Sequence, residues 1–218
     1  MEKKRAISIT FLMLASLFGI CVLCSVLNIH QLTNPDLDFV DTTTYGNVSA
    51  VIEPTDLDAL HIRSQKIVDD WSKGAYLYGI YASTSYPDTT KITRIDLSFL
   101  KVNRLDLYPR QWNASVTYDL EQDSTRLWIM KEESDPPPPL RKAIRLSKLS
   151  IGTAQALQIA NEIIADRQEP VDISMYLYDY EWHISYGDKS SMYKAGYPIV
   201  RINALTGEIQ QEKSPFDD

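Results

Sequence analysis

Cysteine is almost missing from this chain of 218 residues, and that scarcity narrows the field first. The two present, Cys21 and Cys24, both fall inside one uninterrupted apolar segment. Their C-x-x-C spacing is that of a redox or zinc motif, but such motifs need an aqueous fold and further ligands, which a membrane helix does not supply. The chain beyond that segment has no disulfide and must be held by its core. Histidine is as scarce: His30, His61 and His183 occur with no His-x-x-x-His or His-Glu-x-x-His spacing, so no zinc site is expected. The eight glycines are dispersed, and no phosphate-cradling loop can be assembled from them. No Gly-x-Ser-x-Gly elbow is present, and only His61 or His183 could act as the base for a serine nucleophile. The carboxylate pairs Asp69-Asp70, Glu132-Glu133 and Asp217-Asp218 are sequence neighbours, which point apart as on a solvated surface. A surplus of positive charge is lacking too: the formal net charge is -7, which argues against a nucleic-acid partner. No catalytic residue, no metal and no cofactor is expected; a hydrolase with an unrecognised site is the rival reading.

Against these absences stands a strong N-terminal pattern. Residues 1–5 are a short basic lead, and 6–29 carry no charge. The apolar stretch exceeds the roughly 20 residues that cross a bilayer as a helix. A secretory signal has a shorter apolar region and a small-residue cleavage site. The expectation is an uncleaved transmembrane signal anchor over 6–29, with the basic lead in the cytoplasm and the C-terminal domain extracytoplasmic. The cell membrane is then the expected location; secretion after signal cleavage is the alternative. Residues 30–55 are polar, with Pro35, Pro54 and a Thr42-Thr43-Thr44 run, and read as a linker with a short strand near 48–52.

From Asp56 the pattern becomes helical. Leu57, Leu60, Ser64, Ile67, Val68 and Trp71 share one helix face, with Thr55 or Asp56 as N-cap and Lys73-Gly74 as terminator. Strand-like stretches come next, over 75–83, 91–102, 111–120 and 125–131. Period-2 alternation, as in Trp112, Ala114, Val116 and Tyr118 against Asn113, Ser115 and Thr117, buries one face and wets the other. Residues 56–134 therefore read as a first helix-plus-sheet unit. Asp135 and four prolines, 136–139, cannot enter a helix or sheet interior, so 135–149 read as a Pro-rich linker and lead-in. The same order then repeats over 150–212: a helix to about Arg167, capped by Ser150, with Ala156, Ile159, Ala160 and Ile163 on one face, then strands over 171–179, 181–186 and 198–204. Tyr76-Leu77-Tyr78 and Tyr176-Leu177-Tyr178 each open the first strand after their helix, an echo consistent with duplication.

"LSIGTAQALQIANEI" (149–163), "EWHISYGD" (181–188) and "YPIVRINALTGEI" (197–209) resemble a PepSY-type domain, over about 147–211. That family shows an alanine-rich helix, a central strand with an aromatic, and a last strand ending in an Asp-Ala-x-Thr-Gly-Glu turn. Here the turn is Asn203, Ala204, Leu205, Thr206, Gly207 and Glu208, with asparagine in place of the commoner aspartate. The resemblance implies a non-catalytic module of cystatin-like shape, often linked to control of peptidases or to envelope regulation. The full expectation is an α+β protein: an N-terminal transmembrane helix followed by two tandem cystatin-like units, each one helix packed on an antiparallel sheet. Within it, Asn203, Thr206, Gly207 and Glu208 form a structural turn.

Aromatic residues are in surplus, with thirteen tyrosines and four tryptophans. Tyr176, Tyr178 and Tyr180 alternate with Ile173, Met175 and Leu177, so if the aliphatic set packs on the helix the tyrosines face outward. Together with Trp182 they are the candidate partner-binding residues, since exposed Tyr and Trp anchor protein or glycan partners. The functional expectation is a membrane-anchored binding or regulatory protein with a protein partner in the envelope, such as a protease or membrane complex. A cell-wall or glycan-binding module is the alternative. The sequence does not indicate an oligomeric state.

Overall fold

The first helix forms over Leu57–Trp71 (α1), and each feature of its sequence has a place. The Asp56 carboxylate accepts the Ala59 backbone N–H at 3.0 Å, satisfying one of the donors that a helix start leaves open. Leu57, Leu60, Ser64 and Val68 are buried, with Ile67 and Trp71 packed beside them. Gly74, at φ +82°, turns the chain out of the helix, a conformation that glycine adopts without steric cost. Four strands come after it: β2 (Tyr76–Ser85), β3 (Asp88–Asn103), β4 (Arg110–Asp119) and β5 (Ser124–Glu132). The second helix, α2, spans Thr153–Ile163 and leads to β6 (Asp172–Tyr178), β7 (Glu181–Gly187) and β8 (Ile199–Asn203). Ser150 does not cap α2. Its N–H donates to the Ala204 carbonyl, and Gly152 takes the cap position, donating its N–H to Gln155 Oε1 at 3.2 Å. Two further strands lie outside the alternation patterns: β1 (Phe39–Tyr45) and β9 (Ile209–Glu212). The computed structural model describes residues 39–45, 56–71, 73–85, 87–103, 110–132, 141–167, 171–187 and 193–213.

The strands do not divide into two units. They join in one antiparallel sheet of nine strands, ordered β1-β5-β4-β3-β2-β6-β7-β8-β9. The expected pair of tandem cystatin-like units, each with its own sheet, is corrected by this topology. The physical reason lies at the seam. In separate meanders β2 and β6 would each be an edge strand with a row of unpaired N–H and C=O groups, which is an invitation to pair. Here they pair with each other, from Gly79 with Tyr178 to Ser83 with Ser174. The described residues accordingly form a single compact unit.

Register across the sheet sorts the side chains into two faces. On one lie Val116, Leu97, Ile80, Leu177, Trp182 and Ile202, a continuous apolar row running through β4, β3, β2, β6, β7 and β8. These side chains belong to the same buried cluster as Leu60 and Val68 of α1 and Ala156 and Ala160 of α2, so both helices cover this face and one core serves both. The expected transmembrane anchor over 6–29 lies outside the described residues, as does the strand expected near 48–52. Among the described residues no helix is long and apolar enough to cross a membrane. The transmembrane-helix element of the expected fold, and the single-pass cell-membrane placement built on it, have no counterpart among the described residues, whose two helices are amphipathic and bury their apolar sides in one core.

Candidate binding face

The opposite face of the sheet is polar and aromatic along its central rows, buried towards Leu100, Gln111 and Asn113, and no described helix packs on it. Its central row runs Thr43, Arg126, Thr117, Asp96, Tyr81, Tyr176, His183, Arg201 and Gln210, one residue from each strand in register. The neighbouring row places Trp128, Ser115, Ser98, Gly79, Tyr178 and Glu181 side by side. The small residues Ser115, Ser98 and Gly79 lie between Trp128 and Tyr178 in this row.

Tyr176 and Tyr178 stand at the seam between the two halves of the sheet. Their ring centroids are 5.6 Å apart, and Tyr178 stacks on His183 at 4.6 Å with the planes 20° apart. The Tyr176 ring lies over Gly79: a Cβ at that position would come within 2.9 Å of the tyrosine hydroxyl. Gly79 therefore makes room for the ring, a use of glycine in a strand interior that offsets its conformational cost. Tyr178 is 43% exposed, whereas Tyr176 is half-buried. Burial pushes the Tyr176 hydroxyl above its ordinary pKa, with the neighbouring Tyr78 hydroxyl adding to the effect. The row also carries guanidinium groups from its own chain. Arg141 sits 4.6 Å over the Tyr78 ring and Arg94 6.0 Å over Tyr81, while Arg94 also forms a two-point ion pair with Asp96 at 2.9 and 3.1 Å.

Tyr180 and Trp182 are placed elsewhere. β6 and β7 are joined by a two-residue turn, Asp179-Tyr180, with φ of +51° and +65° at its two positions. Such a turn pairs Tyr178 with Glu181, so the residues facing outward change from even numbers on β6 to odd numbers on β7. Trp182 thereby falls on the helix-covered face, where it is 0% exposed and its indole N–H donates to the Ile151 carbonyl at 3.0 Å. The Tyr180 hydroxyl donates to the Ala143 carbonyl and accepts the Arg145 N–H, pinning the segment that leads into α2. Of the four expected anchors, the open face holds Tyr176 and Tyr178. His183, Tyr81, Gly79 and Arg94 join them there through cross-strand register, which no local pattern displays.

The turn after β8 is held by its own hydrogen bonds. Asn203 Oδ1 accepts the Leu205 and Thr206 N–H groups, Gly207 donates to the Asn203 carbonyl, and the Thr206 hydroxyl accepts the Glu208 N–H. Gly207 supplies the φ of +80° that closes it, and the Ala204 carbonyl receives the N–H groups of both Ser150 and Ile151. The turn thus ties the last hairpin to the lead-in of α2.

His183 pairs with Glu181 at 2.9 Å, and burial holds its pKa below the ordinary value even though Glu181 pulls it up. His61 stacks on Phe99 at 6.0 Å and is likewise lowered by burial, against the charge of Asp58. Among the described residues, no three His, Cys, Asp or Glu side chains group closely enough to hold a metal ion. Comparison with protein-family models, with curated proteins and with solved structures finds no match for this chain.

Proposed function

We propose that this chain is a non-catalytic binding protein that recognises a protein partner on the open face of its sheet, with Tyr176 and Tyr178 at the centre. The observation that carries the reading is the continuous polar-aromatic surface at the seam, left open by both helices. Two-layer sheets need only one covered face for stability, so a second face furnished with tyrosines, a stacked histidine and ordered ion pairs is available for recognition. Tyr and Arg are the side chains most often found at the energetic centres of interfaces. The likeness of 147–211 to PepSY-type modules supports the same class, with a peptidase among the partners that such a likeness suggests. Affinity capture with the full chain is expected to recover a defined partner. Tyr178→Ala should abolish its recovery, while Ile62→Ala, on the outer side of α1 and 70% exposed, should leave it unchanged. Capture that tolerates Tyr178→Ala but not Ile62→Ala would move the site to the helix side.

A further inference from the structure

The open face has a charge balance that selects among partners. Its arginines are already engaged: Arg94 with Asp96, Arg126 with Asp41, and Arg201 with Glu212. Glu181, beside the exposed Tyr178, pairs instead with His183. The groups that face His183 are Glu181 on its own strand, Arg201 on β8, Glu212 on β9, and the Tyr176 and Tyr178 rings on β6. With the imidazole neutral at pH 7, the Glu181 carboxylate keeps an uncancelled charge at the rim of an aromatic ring. The whole chain, at net charge -7, adds a field that draws cations towards it.

We propose that Tyr178, His183 and Glu181 form a docking point for a cationic side chain carried by an extended peptide segment. The inference rests on the open-face reading and names the partner's chemistry. Two rings of the same cluster already hold a guanidinium from the chain itself, Tyr78 with Arg141 and Tyr81 with Arg94, so the geometry for that contact is in use here. Beyond the Tyr176 ring, which lies over Gly79, the small residues Ser98 and Ser115 stand in register up to Trp128. From Tyr178 to Trp128 the row crosses four strand spacings of about 4.8 Å, roughly 19 Å, the span of about six extended residues.

The test is fluorescence anisotropy of the full chain with fluorescein-labelled six-residue peptides, one bearing two arginines and one with citrulline in their place. The arginine peptide is expected to bind at least about tenfold more tightly at low salt, the scale of a cation–π contact reinforced by a carboxylate. Its affinity should fall as salt is raised. Tyr178→Ala and Glu181→Gln should each remove most of the difference between peptides, and Tyr178→Phe should keep it. Acidification that protonates His183 should also weaken the arginine peptide, because the imidazolium then cancels Glu181. Equal binding of the two peptides, no binding of either at low salt, or indifference to Glu181→Gln in a chain of unchanged Tm would overturn the proposal. Salt-insensitive binding of a neutral oligosaccharide that depends on Tyr178 would overturn it in favour of a glycan. If peptide selectivity is absent while partner capture still requires Tyr178, the cationic class fails and the binding face stands.

Discussion

Beneath α1, Ser64 Oγ and the Tyr118 hydroxyl lie 2.8 Å apart, both shut away from water. Each satisfies the other, so removing one strands its partner. Tyr118→Phe is expected to cost about 1–3 kcal/mol, the desolvation penalty of a buried hydroxyl left unpaired, whereas Ser64→Ala combined with Tyr118→Phe should recover part of that loss. Chemical denaturation of both variants beside the parent chain checks it. The histidines make a second prediction at this scale. His61 and His183 both have folded pKa values below their ordinary 6.5 because burial disfavours the charged ring. As pH falls below 6.5, the unfolded chain takes up protons that the folded chain declines, so stability drops through that window and levels off below the folded values. His61→Gln should flatten the slope between pH 7 and 5 when melting is followed against pH.

The β6–β7 hairpin shows how an element can mislead a reading along the chain. Tyr176, Tyr178 and Tyr180 suggest one outward stripe continuing to Trp182, but the two-residue turn reverses the parity and sends Trp182 inward. Both turn residues occupy left-handed conformations that non-glycine side chains rarely adopt, and Tyr180 does so while its hydroxyl bonds across to Ala143 and Arg145. Tyr180→Gly should relax the backbone by about 1 kcal/mol but lose two hydrogen bonds of about 1 kcal/mol each and the packing of the ring on the core, so Tm falls and amide exchange at Ile144 and Arg145 quickens. Helices and inner strands were legible because their apolar residues repeat with the period of the element. The face of α1, Leu57 to Trp71, could be written down from spacing alone. The outer strands were not: three successive threonines fill the middle of β1 and β9 is exposed along its whole length, so neither carries an apolar rhythm. The binding face was legible only in part. Tyr176 and Tyr178 stand out by alternation, but Gly79, Tyr81 and His183 meet them through pairings of strands distant in sequence.

On the scale of the whole molecule, the joining of β2 to β6 makes two similar halves into one object. A shared sheet and a shared core predict a single unfolding transition, with circular dichroism in the far and near ultraviolet changing together. Two separated transitions would show that each half holds its own structure. The same seam also has a consequence in time. β2 is near the middle of the sheet yet early in the chain, and its partner β6 begins only at Asp172. A ribosome adding about 5–20 residues each second leaves the edge of β2 without β6 for roughly 5–20 s after it emerges. For that interval the first half is a sticky template, open to strands of other chains. Synthesis, more than the finished fold, is therefore where this protein is most exposed to aggregation, and where a chaperone that covers sheet edges would matter most.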